Sequence, residues 1–222
     1  MSGIGLEWFI IGGAVLITAL IVVASIRSDR KRREALSGEA ALLGARFEAK
    51  PDAAFLNGLK STFWVFRYHR RRTVTNLIER PGAGATFQLF DYAYMRPGSR
   101  SPSFWSILLT SSETLQLPKF MMGNRGGALR LRDGFRKEPV VFPVHEFMES
   151  HQVHSDDDET AGVFSDDLQR FFGGQREYCM EGAGTQFVLY VPDRRVKPEQ
   201  IREIFEHGAF ILRELTGAMT NR

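Results

Sequence analysis

His151-Gln-Val-His154, with His145 upstream and Asp156, Asp157 and Asp158 close behind, is the run whose residue types could hold a metal. Imidazole nitrogens and carboxylate oxygens suit zinc, iron or manganese. His151, His154 and Asp156 are therefore the candidate ligands. An offset of three is odd, however, and an extended strand turns His151 and His154 to opposite faces. The acidic run also fits a helix N-terminus, where the dipole favours negative charge. A strand end followed by a helix cap accounts for these residues, so neither a metal nor a cofactor is assigned.

Other chemistry is more thinly marked. Arg67, His69, Arg70, Arg71 and Arg72, interleaved with Phe66 and Tyr68, have the composition of a phosphate-contacting patch. Gly82-Ala83-Gly84 and Gly123-Asn124-Arg125-Gly126-Gly127 lack the strand-loop-helix setting of a nucleotide fingerprint. No nucleophile elbow marks a serine. Cys179 is the single cysteine, which rules out an intrachain disulfide, and its neighbours Glu177 and Glu181 would raise a thiol pKa rather than lower it. A packed core position is the expectation for it.

Charge is concentrated at one end. Of the 222 residues, 29 are basic and 26 acidic; Arg27, Arg30, Lys31, Arg32 and Arg33 leave residues 34–222 with 24 of each. A neutral domain argues against an extended nucleic-acid surface. Ahead of the basic run, Trp8 to Ile26 carries no charge and is about the length that crosses some 30 Å of hydrocarbon as a helix. Trp8 and Phe9 stand where an aromatic belt would lie, and the basic side is expected to face the cytoplasm. A transmembrane anchor over 1–33 is thus predicted, with the N-terminus outside, the soluble domain cytoplasmic, and the bilayer as partner. Arg27, Arg30, Lys31, Arg32 and Arg33 would contact anions or lipid headgroups.

The elements that must position these residues follow from patterning. Residues 34–49 are spaced for a helix continuing from the span. Asp52 caps a second helix over Ala53–Phe66 that passes into a strand near Trp64. Arg72–Arg80 and Thr86–Met95 alternate around Pro81-Gly82-Ala83-Gly84 as a hairpin, and Ser103–Ser112 adds a strand. Shorter strands are predicted over Leu115–Met122, Leu129–Leu131 and Val140–Val144. Asp156 and Glu159 have capping-box spacing, Ser165 caps a helix through Phe172, and a second hairpin spans Glu177–Val191. Pro198 opens an amphipathic helix with Ile201, Ile204, Phe205, Ala209, Ile211, Leu212 and Leu215 toward a core. The fold class is α+β: a mainly antiparallel sheet with helices on one face. Glu, Gly-Ala-Gly, Thr and Phe recur in Ile78–Phe87 and Met180–Phe187, each after a Phe-bearing helix, as two related helix-plus-hairpin halves would have it.

Within Thr86–Met95, alternation sets Asp91 on the face of Phe87 and Leu89. A carboxylate there needs a partner, and an arginine is expected, Arg72 or another of its cluster on the adjoining strand.

The series Pro51-Asp52 through Phe55-Leu56, Arg72 through Asn76-Leu77, Leu89-Phe90-Asp91-Tyr92-Ala93-Tyr94, Leu117-Pro118-Lys119-Phe120 and Glu181-Gly182-Ala183-Gly184 resembles a family of uncharacterised bacterial single-span membrane proteins. The resemblance covers most of the chain after residue 34. It implies a bacterial membrane setting and no activity, cofactor or catalytic residue. The functional expectation is a non-enzymatic, membrane-tethered binding or scaffold domain with room for a protein partner. The alternative is an uncharacterised enzyme, metal-dependent through His151 and His154.

Overall fold

The computed structural model describes residues 4–67, 69–82, 84–96, 98–99, 101–125, 135 and 137–220, with the backbone alone for 4–15, 18, 19, 21 and 22. Strands β1 (Arg46–Glu48), β2 (Arg70–Gly82), β3 (Ala85–Met95), β4 (Pro102–Ser112), β5 (Leu117–Asn124), β6 (His151–Ser155), β7 (Cys179–Gly184) and β8 (Gln186–Tyr190) form one sheet in the order β1-β2-β3-β4-β8-β7-β5-β6. All seven pairings are antiparallel. The fold class is α+β.

Both faces of the sheet are covered, which corrects the expectation of helices on one face. One face packs Phe87, Leu89, Leu108, Phe187 and Leu189 against α1 (Ile4–Leu42), α3 (His145–Ser150), α4 (Thr160–Val163), α5 (Asp166–Gly174) and α6 (Ile201–Thr220). The other packs Phe90, Tyr92, Tyr94, Trp105, Ile107 and Tyr190 under α2 (Ala53–Thr62) and the 3-10 turn Trp64–Phe66. The alternation of β3 is what divides them, since successive side chains leave opposite faces. The hairpins β2-β3 and β7-β8 both turn through a glycine at positive φ, Gly84 at 73° and Gly184 at 58°. The helices preceding them, α2 and α5, lie on opposite faces.

Local chemistry sets the element ends. Asp52 accepts from Ala54 N at 3.0 Å to start α2, and Ser165 accepts from Leu168 N at 3.1 Å to start α5. α1 closes with Gly44 at φ 63°, the Ala45 N–H on Ala40 O and the Gly44 N–H on Ala41 O, a left-handed cap that glycine adopts without strain. Phe47 consequently lies in β1 rather than on a continuing helix. Val140 makes only a single bridge to Val153, and α4 starts at Glu159 without a side-chain cap, in place of the expected strand and capping box. The strand expected at Leu129–Leu131 lies outside the described residues. α6 approaches the sheet closely because Gly208 has no side chain: a Cβ there would stand 2.5 Å from Leu108 Cδ2.

The expected anchor is overturned. Trp8–Ile26 is helical, but among the described residues no helix is long and apolar enough to cross a membrane. α1 runs on through the basic residues to Leu42, so the supposed boundary at residue 33 falls inside one continuous helix. Its later part is bound to the domain: Leu36 and Ala40 are buried in the core, and Arg32 reaches the sheet. Leu16, Ile17, Leu20, Val23 and Ile26 are exposed. The side chains of Trp8 and Phe9, on which the aromatic belt depended, lie outside the described ones.

Candidate functional site

Asp91, at 3% exposure, is where α1 meets the sheet. Arg32 grips it with both arms of its guanidinium, Nε to Oδ2 at 2.8 Å and Nη2 to Oδ1 at 2.7 Å. Asn76 Nδ2 donates to Oδ2 at 2.9 Å, and Ser106 Oγ, opposite Asp91 in the β3-β4 register, donates to Oδ1 at 2.8 Å. Asn76 reaches inward because β2 bulges there, with φ 54° in the left-handed region that asparagine tolerates. Burial alone would raise the carboxyl pKa; Arg32, Asn76 and Ser106 together bring it below its ordinary value. The expected arginine partner is present, but it comes from α1 and not from the Arg67–Arg72 cluster.

That cluster does not converge on a ligand. Arg67 donates to Lys60 O at 3.1 Å and Ser61 O at 2.6 Å, and Arg72 to Phe66 O and Arg67 O, so the first ties off the backbone at the end of α2 and the second that at the end of the 3-10 turn. His69 stacks on Tyr94 with ring centroids 3.6 Å apart; burial and nearby Arg72 lower its pKa to about 4. Arg70 and Arg71 are exposed, and Tyr68 is outside the described residues. Among the residues expected to touch lipid or anions, Arg30 pairs with Glu34 at 2.9 Å and Arg32 with Asp91. Arg27, Lys31 and Arg33 are exposed.

On the opposite face, Glu181 is buried to 1% exposure. Its carboxylate accepts from Trp64 N at 2.6 Å, Val65 N at 3.0 Å and Tyr190 OH at 3.3 Å, fastening the 3-10 turn after α2 to β7. Burial pushes its pKa up to about 7, offset in part by those three donors. Cys179, two residues earlier, is buried, and its thiol is pushed up to about 12 chiefly by that burial.

The histidines are separated as their offset requires. His151 faces the α5 side, stacked on Phe147, with Nδ1 2.8 Å from Ser150 Oγ and Nε2 3.1 Å from Tyr178 O. Burial lowers its pKa to about 4. His154 leaves the other face and stacks on Phe135. Asp156 Oδ1 accepts from Lys137 N at 3.3 Å, and Asp158 pairs with Lys137 Nζ at 2.6 Å. Among the described residues, no three His, Cys, Asp or Glu side chains converge as a metal ion would require.

A groove of about 820 Å³ opens between α6 and the β2-β3 turn. Phe87 and Phe205, rings edge to face at 6.5 Å, belong to its floor. Ala209 and Leu212 form one wall, with Arg80 and Arg213 at the rim. Arg80 is directly across from Phe87 in the β2-β3 register, which places the cation beside the aromatic floor. The size lies in the range of small-molecule sites. The signal for it was in α6, whose apolar stripe is wider than the face it buries: Ile201, Ile204, Phe205, Ile211 and Leu215 are buried, whereas Ala209 is exposed and Leu212 only half-buried.

The chain matches no protein-family model, no curated protein and no solved structure. No activity is carried to it from a relative, and function rests on geometry.

Proposed function

We propose that the chain is a binding or scaffold domain whose ligand surface is the groove between α6 and the β2-β3 turn. The observation that carries this is the uncovered continuation of the core: the stripe of α6 that elsewhere buries Ile211 and Leu215 leaves Ala209 and Leu212 lining a space of about 820 Å³. An apolar wall beside a rigid sheet is a preformed surface, and rigidity limits the ordering cost of binding. The strongest polar arrangements, at Asp91 and Glu181, are committed to holding α1 and the α2 turn. They support a module that presents a surface rather than one that turns over a substrate.

The test is amide chemical-shift mapping of the ¹⁵N-labelled full chain titrated with 1-octanol, a neutral apolar probe. Saturable shifts at Gly82, Gly84, Phe205, Ala209 and Leu212 are expected. They should vanish in Ala209→Trp, where an exposed position receives a side chain that fills the groove. Shifts confined to other regions, or undiminished in that variant, would defeat the reading.

A further inference from the structure

Resting on the groove as the binding surface, we infer that its ligand is an amphipathic anion: an extended apolar chain ending in a carboxylate. The charges of the lining point to this. Arg80 and Arg213 are its charged side chains, and no aspartate or glutamate is among the lining residues. Arg80 is exposed and has no ion-pair partner among the described residues. Arg213 lies over the Phe210 ring and among the described residues pairs only with Glu214 at 3.4 Å, at 71% side-chain exposure for the arginine, a pairing that water screens strongly.

Three of the four hydroxyls of the lining, all but that of Thr216, are already in use. Ser112 Oγ donates to Gly84 O at 2.7 Å and lies 2.8 Å from Thr114 Oγ1, and Thr220 Oγ1 donates to Thr216 O at 3.0 Å. Charged recognition falls to the guanidiniums, whose planar fork matches a carboxylate in two parallel hydrogen bonds.

Shape sets the rest of the ligand. Ala209, Leu212, Arg213, Thr216 and Thr220 follow one another along α6, a reach of about 16 Å at 1.5 Å per residue. A lining drawn out along one helix suits a linear chain better than a compact ring. The aromatic floor at Phe87 and Phe205 takes the chain, and Arg80, across the hairpin from Phe87, takes the head.

Octanoate, 1-octanol and acetate separate the parts, each titrated into the ¹⁵N-labelled full chain. Octanoate should shift the groove amides with a dissociation constant about fivefold tighter than 1-octanol, as two exposed charge contacts allow. Acetate should produce no saturable shifts there. Arg80→Gln with Arg213→Gln, both at exposed positions, should abolish the preference for octanoate, so that octanoate and 1-octanol bind this variant equally. Equal binding of octanoate and 1-octanol at the wild-type groove would overturn the anionic ligand while leaving the binding surface intact. Absence of groove shifts with either would overturn both.

Discussion

Asp91 and Glu181 are both carboxylates with almost no exposure in one sheet, yet they face opposite sides and meet different donors. Asp91 has a guanidinium, an amide and a hydroxyl; Glu181 has two backbone N–H groups and a phenol. The first is held as an anion. The second is carried by burial toward neutrality near pH 7. At Glu181 the hydrogen bonds only reduce the desolvation penalty, whereas at Asp91 a cation in contact, with two further donors, reverses it. The side of the sheet bearing α1 is thus fastened by an ion pair, and the side bearing α2 by a cap on a 3-10 turn.

The comparison breaks most sharply at Asp91. Asp91→Ala leaves the Arg32 guanidinium, at 16% side-chain exposure, without its carboxylate and strands Asn76 Nδ2. A loss of about 3–5 kcal/mol is expected, as for removing one partner of a buried pair. It should be read as a fall in urea midpoint at unchanged slope. Asp91→Asn should be less damaging, since it retains acceptor capacity but not the charge. A wild-type midpoint in both variants would show that the ion pair does not hold α1 to the sheet.

What could be read from residues alone divides along the same line. The hairpins, the Asp52 and Ser165 caps and α6 are local, written in spacing and turn chemistry, and they lie close to where patterning sets them. That Asp91 needed an arginine was also legible, because its strand face is apolar. Which arginine was not: Arg32 is 59 residues away, and a basic run after an apolar segment has the same composition whether it flanks a membrane or supplies one buried side chain. Arg72 looked equally able, but its guanidinium is occupied with carbonyls at the end of the 3-10 turn. The groove was half-legible. Ala209 and Leu212 belong to the α6 stripe, and only the packed structure shows that the core stops short of them.

Titration sharpens the contrast, because the two groups act in opposite senses. Asp91 has a folded pKa below its unfolded value, so its stabilisation is present above pH 4 and is lost as pH falls through the folded value. Glu181 has a folded pKa of about 7, above its unfolded value, so its contribution is complete at about pH 4 and is lost as pH rises through 7. Glu181 alone should therefore lower unfolding free energy between pH 5 and 8, by on the order of 2 kcal/mol, against the opposite contribution of His69 and His151, whose folded values of about 4 lie below the unfolded one. Glu181→Gln, which cannot ionise, should remove that component, so that the stability gained from pH 5 to 8 is larger in the variant than in the wild type. An equal pH dependence in the two would assign the component to another group.

The smallest effect separates the donors around Glu181. Tyr190 OH is the most distant of the three at 3.3 Å, and the ring remains packed on Trp105 with centroids 5.1 Å apart. Tyr190→Phe therefore removes one hydrogen bond and little volume, and the expected cost is about 1 kcal/mol. That cost should depend on pH. Above pH 7 an ionised Glu181 loses a donor, whereas near pH 5 a protonated Glu181 loses only a neutral contact. The Tyr190→Phe penalty should thus be larger at pH 8 than at pH 5, and the midpoint of the Glu181 transition should move upward. Glu181→Gln supplies the control: in that background the penalty should become independent of pH. A pH-independent penalty in the wild-type background would mean that the phenol does not stabilise the Glu181 anion, leaving the Trp64 and Val65 N–H groups as its whole support.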